Sequence, residues 1–320
     1  DLSSYDSIVN LPFSIPFYGD HVSLFALLMA FAMGAMAQSG ALADTFSAAF
    51  TLPRWRVGLV TAALTLTILL GGIRRIADIS TVLVPVMALL YLGGGLAVIL
   101  GNLRRLPEAV TLMLRCAVAP EATLGGALGI VTRREALRWG VARSVFSNEA
   151  GLGSAAITAA CADTDEPVKQ GLISMTGVFF DTMVICTVTG LAICCSGTLG
   201  AADGNGHPLT GAALTLRAFE TVLGPLAPWL IGVALGLFAF TSVLGCAVQA
   251  ETTASYLLGP EAVRPCRVLY GLAVFAGAVI PMATVLQLAD LANALMAFPN
   301  LVCLLLLSGE IAGECGRKER

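Results

Sequence analysis

Residues 143–154 read Arg-Ser-Val-Phe-Ser-Asn-Glu-Ala-Gly-Leu-Gly-Ser, a polar and glycine-broken stretch in the middle of an otherwise apolar chain. A span in hydrocarbon tolerates such a stretch only where the backbone lines a cavity or a neighbouring helix satisfies it, because an unpaired N–H or C=O there is costly. We therefore interpret the stretch as a place where an ion or a solute binds.

The composition indicates a polytopic helical membrane protein. Hydrophobic residues make up 57% of the 320 residues, charged residues 12%, and the mean hydropathy is +0.85. Soluble proteins carry about 25% charged residues. The net charge of −3, with only 18 Lys and Arg, gives no basic stripe, so no nucleic-acid partner is expected. Nothing in the composition implies an oligomer.

Apolar runs predict about eight transmembrane helices in one all-α domain, residues 1–320. Seven runs reach the length of about 20 residues that a bilayer requires. They lie at 21–49, 57–73, 80–101, 168–197, 226–256, 265–286 and 288–308. An eighth span, near 138–161, is broken by the polar stretch. Two amphipathic surface helices are also expected, one around Val110–Leu114 and one from Thr210 to Leu223.

The residue types argue against an enzyme. An intramembrane enzyme needs a nucleophile with a base, or a histidine-based metal site, and no such constellation appears. The two histidines, His21 and His207, both lie near predicted loop ends, and no cysteine spacing matches a zinc site. We predict no catalytic residues and no organic cofactor.

Four linked blocks carry a resemblance to a known family. Phe146–Ala155, Pro167–Leu172, Val178–Thr182 and Cys186–Thr189 resemble, in order and spacing, the alanine/glycine:cation symporter family. Further blocks agree over almost the whole chain, and they lie at Gln38–Ser39 with Asp44, Gly71–Ala77, Val84–Pro85 with Tyr91, Phe238–Ser242 and Ala297–Leu301.

The resemblance implies sodium-coupled symport of small neutral amino acids, alanine and glycine, into the cell by alternating access. The protein would be a multi-pass protein of the plasma or inner cell membrane, with the amino acid, Na⁺ and the bilayer as partners and Na⁺ as the only metal. The implied fold is the five-plus-five inverted repeat of the leucine transporter, in which core helices 1 and 6 unwind at the midplane. On that register the chain forms core helices 3 to 10, and the broken span near 138–161 is core helix 6.

One departure from the family pattern is serious. The chain has no counterpart of the family's Gly-Thr-Gly-Asn segment on core helix 1, nor of the helix after it. We therefore expect the family's N-terminal helices to be missing here, which leaves a truncated, non-transporting remnant as an alternative. A channel is a further alternative, although a single site in a broken helix favours alternating access.

The resemblance and the residue types together indicate a substrate site. Its predicted members are Gln38, Phe146, Ser147, Asn148, Glu149 and Gly151. Ser147 and Asn148 either contact a small zwitterion or cap the half-helix. Gln38 either contacts substrate or ties two helices together. Glu149 either lines the path or forms a structural clamp with Arg143 or Arg138.

Ion positions are predicted in two other helices. The resemblance implies that Thr241 and Ser242 help to bind Na⁺ against carbonyls of core helix 1, whereas the alternative is that each hydroxyl bonds the carbonyl four residues before it in its own helix. Asp181, followed by Thr182, is either part of an ion or proton pathway or one half of an interhelical pair. Asp290, near Asn293, is expected to be structural.

Overall fold

The structure is a computed structural model that describes residues 16–118, 133–149, 151–162, 164, 166–202, 204, 206 and 208–318. Apart from an isolated bridge between Ala202 and Pro208, the regular structure in these residues is helical. The α-helices are α1 Pro16–Met29, α2 Gln38–Phe50, α3 Arg54–Leu69, α4 Gly72–Gly101, α5 Leu106–Val118, α6 Arg133–Asn148, α7 Ser154–Ala159, α8 Pro167–Phe179, α9 Cys186–Ser196, α10 Gly211–Leu223, α11 Val233–Leu258, α12 Val263–Val279 and α13 Met282–Lys318. Three π-helical segments continue directly into the helices that follow them: π1 Ala30–Ala37, π2 Phe180–Ile185 and π3 Pro228–Gly232.

Within these described residues, six helical spans are long and apolar enough to cross a membrane. They are Asp20–Phe50, Gly72–Gly101, Val168–Ser196, Pro228–Leu258, Pro260–Val279 and Met282–Gly309. The predicted polytopic helical class is thereby confirmed, with fewer spans than the eight expected. The run at 57–73 forms α3, whose 16 residues are short for a full crossing. The broken span near 138–161 divides into α6 and the six-residue α7.

One predicted boundary between spans is wrong. The apolar pattern separates 265–286 from 288–308, whereas the chain turns at Ile280, whose ψ of 145° is extended. Pro281 explains the shift, because the residue before a proline is disfavoured in helical conformation. Arg54 stabilises the turn by donating to the carbonyls of Ala278 at 3.0 Å and Ile280 at 3.2 Å.

α11 is the central helix of the bundle. It packs against α1, π1, α2, α4, α7 and α12. Small residues allow close approach around π1. A Cβ at Gly34 would lie 2.1 Å from Cβ of Cys246 in α11, and one at Gly277 in α12 would lie 2.3 Å from the backbone of Met36. π1 is therefore clamped between α11 and α12.

The two predicted amphipathic helices are both present as α5 and α10. α10 lies deeper than a surface helix, because Leu216 and Phe219 are buried. Phe219 packs on Tyr91 of α4, with the ring centroids 5.5 Å apart. The amphipathic pattern located the helix, but it did not reveal that its apolar face packs on protein.

Candidate functional site

The polar stretch forms a tight break between α6 and α7. The backbone φ is positive at Glu149 (53°), Gly151 (77°) and Gly153 (84°). A hydrogen bond from the Leu152 N–H to the Glu149 carbonyl, 3.1 Å long, closes the turn. Glu149 is the notable member, because a non-glycine residue with positive φ is uncommon and such conformations cluster at functional sites.

α13 holds the break in place. Leu152 is fully buried in a cluster that includes Met296 of α13. Asn300 donates from Nδ2 to the Gly151 carbonyl at 2.9 Å. The same side chain also packs against Gly153, where an added Cβ would lie 2.4 Å from Oδ1 of Asn300. The turn is therefore anchored by one apolar side chain and one amide.

A cavity of about 370 Å³ opens beside the break. Its described lining residues are Met33, Gln38, Ala41, Tyr91, Phe146, Ser147, Glu149, Asp181, Ile185, Leu235, Phe238, Ala239, Ser242 and Cys246. The predicted site residues that line it are Gln38, Phe146, Ser147, Glu149, Asp181 and Ser242, and those that do not are Asn148, Gly151 and Thr241. Residues from five separate helical segments thus meet at one cavity.

π-helical turns present two of the predicted residues to this cavity. Asp181 belongs to π2, and Gln38 follows directly after π1. Asp181 accepts a hydrogen bond from the Ser147 hydroxyl at 2.7 Å, which joins π2 to α6. The bond is interhelical, as one alternative for Asp181 required, and the carboxylate also faces the cavity. A π turn is rare and is frequently found at functional sites.

Of the two hydroxyl residues of α11, Ser242 lines the cavity and Thr241 does not. The hydroxyls of Thr241 and Ser242 each donate to the Phe238 carbonyl at 3.0 Å. Ser242 thereby makes the bond to the fourth preceding residue that the sequence left open, whereas Thr241 bonds the third preceding residue. Ser242 lines the cavity, whereas Thr241 contacts the sulfur of Met87 at 3.8 Å. A donating hydroxyl keeps its lone pairs, so these bonds leave the oxygens free to coordinate a cation.

Arg143 pairs with α13 and not with Glu149. Its Nη2 donates to Oδ2 of Asp290 at 2.6 Å, and the guanidinium lies 5.1 Å from the centroid of the Phe146 ring. The Glu149 carboxylate instead accepts a hydrogen bond from the Ser154 hydroxyl. The clamp between Glu149 and Arg143 that the sequence left open is therefore wrong, and Asp290 has the structural role predicted for it.

Two carboxylates face the cavity, and the side chains that the structure describes give neither of them a cationic partner. Other acidic side chains in the bundle pair with arginine, as in Asp44–Arg54, Glu251–Arg267 and Arg143–Asp290. Among the side chains that the structure describes, no Lys or Arg nitrogen lies within 4.0 Å of Glu149 or Asp181. Because unpaired carboxylates are costly at membrane depth, the cavity favours cationic ligands.

Some residues of the site were missed by the sequence reasoning. Tyr91, whose hydroxyl lies 2.8 Å from that of Thr189, and Asn300 both belong to the blocks that carried the family resemblance, so a usable signal existed. The apolar lining residues Met33, Ile185, Leu235 and Cys246 carry no signal that distinguishes them from core. Gln249 was also missed, although it is a lone glutamine in an apolar span, as Gln38 is.

A broken helix beside a polar cavity, inside a bundle of membrane-spanning helices, is the arrangement of a membrane transporter. The chain belongs to the sodium:alanine symporter family, whose profile matches residues 15–316. The resemblance found in the sequence is confirmed by this match.

Relatives from several organisms agree with the family assignment. The chain is 41% identical to an uncharacterized transporter of Haemophilus influenzae over 285 residues, which are 88% of this chain and 61% of the relative. It is 39% identical to the sodium/alanine symporter AgcS of Methanococcus maripaludis over 292 residues, 91% of this chain and 63% of that protein. It is 37% identical to the probable sodium/glutamine symporter GlnT of Bacillus subtilis over 294 residues, with 89% and 59% covered. The chain thus spans about three fifths of the length of these relatives.

Proposed function

We propose that the protein carries small neutral amino acids, alanine and glycine above all, into the cell together with Na⁺. The single observation that supports this most is the pair of carboxylates, Glu149 and Asp181, that face one cavity without a described cationic partner. Na⁺ and the ammonium group of an amino acid each bring one positive charge to that cavity. The cavity therefore offers one carboxylate for each of the two transported positive charges, Na⁺ and the ammonium group.

The polar groups of the cavity suit the rest of a zwitterion. The amide of Gln38 can donate to an amino-acid carboxylate, and the Ser147 oxygen, whose proton goes to Asp181, can accept a hydrogen bond from the ammonium group. Asn148 stands at the end of α6 next to the break. A volume of about 370 Å³ lies at the low end of ligand pockets, which span about 300–1,000 Å³, and so favours a small side chain.

Transport in this proposal is by alternating access in the five-plus-five inverted-repeat fold. α6 and α7 are the halves of the broken core helix, and Thr241 with Ser242 supplies hydroxyl ligands to Na⁺. Na⁺ and the amino acid couple because each binds one of two global states more tightly, which makes their affinities mutually dependent. The names of the relatives from M. maripaludis and B. subtilis, a sodium/alanine and a probable sodium/glutamine symporter, support sodium as the coupling ion.

Uptake into proteoliposomes tests the proposal. The protein encoded by the complete reading frame is reconstituted, and radiolabelled alanine is added with an inward gradient of either Na⁺ or choline. We expect alanine to accumulate above its external concentration only with Na⁺, and to leave when gramicidin dissipates the gradient. Equal uptake in choline would contradict sodium coupling. Sodium-independent equilibration without accumulation would indicate a channel.

Asp181→Asn tests the charge at the cavity directly. Asparagine keeps an oxygen to accept the Ser147 hydrogen bond but loses the negative charge. Because hydrogen bonds to charged groups contribute about 1.5–3 kcal/mol, the half-saturating alanine concentration should rise about tenfold or more. Asp78→Asn, at an exposed carboxylate of α4, is the matched control and should leave it unchanged. An equal effect of both substitutions would rule out the role of Asp181.

A further inference from the structure

A cluster of oxygen-bearing groups lies behind the break, on the side where α7 packs against α11. Ser154, the first residue of α7, is fully buried, and its hydroxyl donates to the Glu149 carboxylate. The Ser154 carbonyl in turn accepts a hydrogen bond from Nε2 of Gln249, at 3.5 Å. Carboxylate, hydroxyl, carbonyl and amide groups are therefore gathered around one residue of the break.

Gln249 is the unexplained member of this group. Its side chain is 4% exposed, and its Oε1 has no hydrogen-bond partner among the described residues. An unsatisfied buried oxygen is unfavourable, and native proteins contain few of them. Within the described part of the chain, no group donates a hydrogen bond to Oε1 of Gln249, so this buried oxygen is suited to binding a cation.

The helical register places this cluster next to the cavity. Ser242, Cys246 and Gln249 stand at positions i, i+4 and i+7 of α11, so they form one stripe along the helix. Ser242 and Cys246 line the cavity, and Gln249 lies one turn beyond it. Glu149 belongs to both places, because it lines the cavity and bonds to Ser154. The Glu149 carboxylate therefore joins the cavity to the cluster around Ser154.

We propose that Glu149, Ser154 and Gln249 form a binding site for the coupling cation Na⁺, separate from the hydroxyl pair Thr241–Ser242. The ligands are the Glu149 carboxylate, the Ser154 hydroxyl and carbonyl oxygens and Oε1 of Gln249. All are hard oxygen donors with a single negative charge among them, which suits a small monovalent cation. The inference rests on the proposed function, since it adds a second site for the coupling ion of that function.

The site has a consequence for coupling. Its ligands come from both sides of the break and from α11, so a bound Na⁺ draws the first turn of α7 toward α11. Na⁺ therefore orders the same turn whose other end presents Ser147 to the amino acid. Binding of the ion and binding of the amino acid are linked through this turn.

Binding of ²²Na⁺ to the purified protein in the absence of amino acid tests the site. Gln249→Met keeps the volume but removes the oxygen, so the half-saturating Na⁺ concentration should rise about tenfold or more. Thr253→Val is the matched control, because Thr253 is a buried residue of the same helix whose hydroxyl bonds only to carbonyls of α11. An unchanged Na⁺ concentration for Gln249→Met, with a folded protein, would overturn the site.

Gln249→Glu separates an ion ligand from a structural hydrogen bond, and it decides the question if Gln249→Met does not fold. Glutamate keeps the oxygen but cannot donate to the Ser154 carbonyl. A cation site predicts half-saturation by Na⁺ that is equal to or lower than in the parent protein, whereas a structural bond alone predicts weaker Na⁺ binding.

Uptake distinguishes failure of this inference from failure of the proposed function. If alanine uptake by the parent protein is sodium-dependent and Gln249→Met leaves that dependence unchanged, the site is wrong and the symport stands. If alanine uptake by the parent protein does not depend on Na⁺, both the proposed function and the proposed site are wrong. The supporting result is a higher Na⁺ requirement in Gln249→Met with nearly unchanged half-saturation by alanine at high Na⁺.

Discussion

Gly153 shows how strictly single positions are constrained at the break. Its φ of 84° disfavours any side chain by roughly 1–2 kcal/mol, and a Cβ there would collide with Asn300. Gly153→Ala should therefore displace Asn300, release the Gly151 carbonyl and reduce initial alanine uptake by about tenfold, the equivalent of about 1.4 kcal/mol. Gly140→Ala, in open space on α6, is the control and should transport normally. Comparable losses in both variants would show that the collision is unimportant.

At the same scale, side-chain chemistry was easier to predict than side-chain direction. Ser147, Glu149 and Asp181 could be singled out because polar groups are rare in this chain, and the structure brings all three to the cavity. Thr241 is as polar as its neighbour Ser242, yet it points to Met87, since successive helical residues are about 100° apart. The sequence did not specify which of the two faces inward.

At the scale of elements, the Arg143–Asp290 pair joins the broken helix to α13. Removing one partner leaves the other charge unpaired, so Arg143→Gln and Asp290→Asn should each lower the Tm by a few °C. The double variant should lose clearly less than the sum of the two, which thermal unfolding in detergent measures. The exposed pair Arg217–Glu220 within α10 is the control, and its removal should change little. Additive losses at Arg143 and Asp290 would mean that the pair contributes nothing as a pair.

The sequence predicted helices correctly where hydropathy alone determines them. The long spans and both amphipathic helices were predicted because apolar periodicity is strong there. The π-helical turns of π1 and π2 were not predicted, because the choice between α and π hydrogen bonding depends on packing against neighbouring helices. Those turns present Gln38 and Asp181, so the sequence identified two site residues without the geometry that orients them.

At the scale of the whole molecule, the bundle depends on close packing around π1. Gly34→Ala would place a methyl group on Cβ of Cys246, and such overpacking costs about 1–3 kcal/mol. We expect a fall in Tm of several °C together with reduced sodium-dependent uptake, because α11 carries residues of both proposed ion sites. Gly93→Ala, at an open position of α4, serves as the control and should leave both unchanged. A normal Tm in Gly34→Ala would show that the helices can separate at no cost.

The sequence alone predicted the family and the membrane class, because local sequence blocks carry the family resemblance and the composition indicates a membrane protein. The sequence did not predict the number of spans. The length of α3 and the turn at Pro281 depend on glycine and proline positions, which a count of apolar residues ignores. The convergence of five helical segments on one cavity is a long-range property. It depends on which helices become neighbours, and no local pattern contains that information.

The π-helical turns make the site tolerant of small changes in chain length. A π turn accommodates one residue more than an α turn along the same stretch of helix. Loss of a single residue from Ala30–Ala37 can therefore be absorbed by a return to α-helix, and the apolar character of the span would hardly change. The helix that follows would keep its orientation and Gln38 would stay at the cavity, whereas the same deletion in an α-helical stretch would rotate the residues beyond it by about 100°. In a relative with such a deletion in π1, the glutamine would still face the cavity.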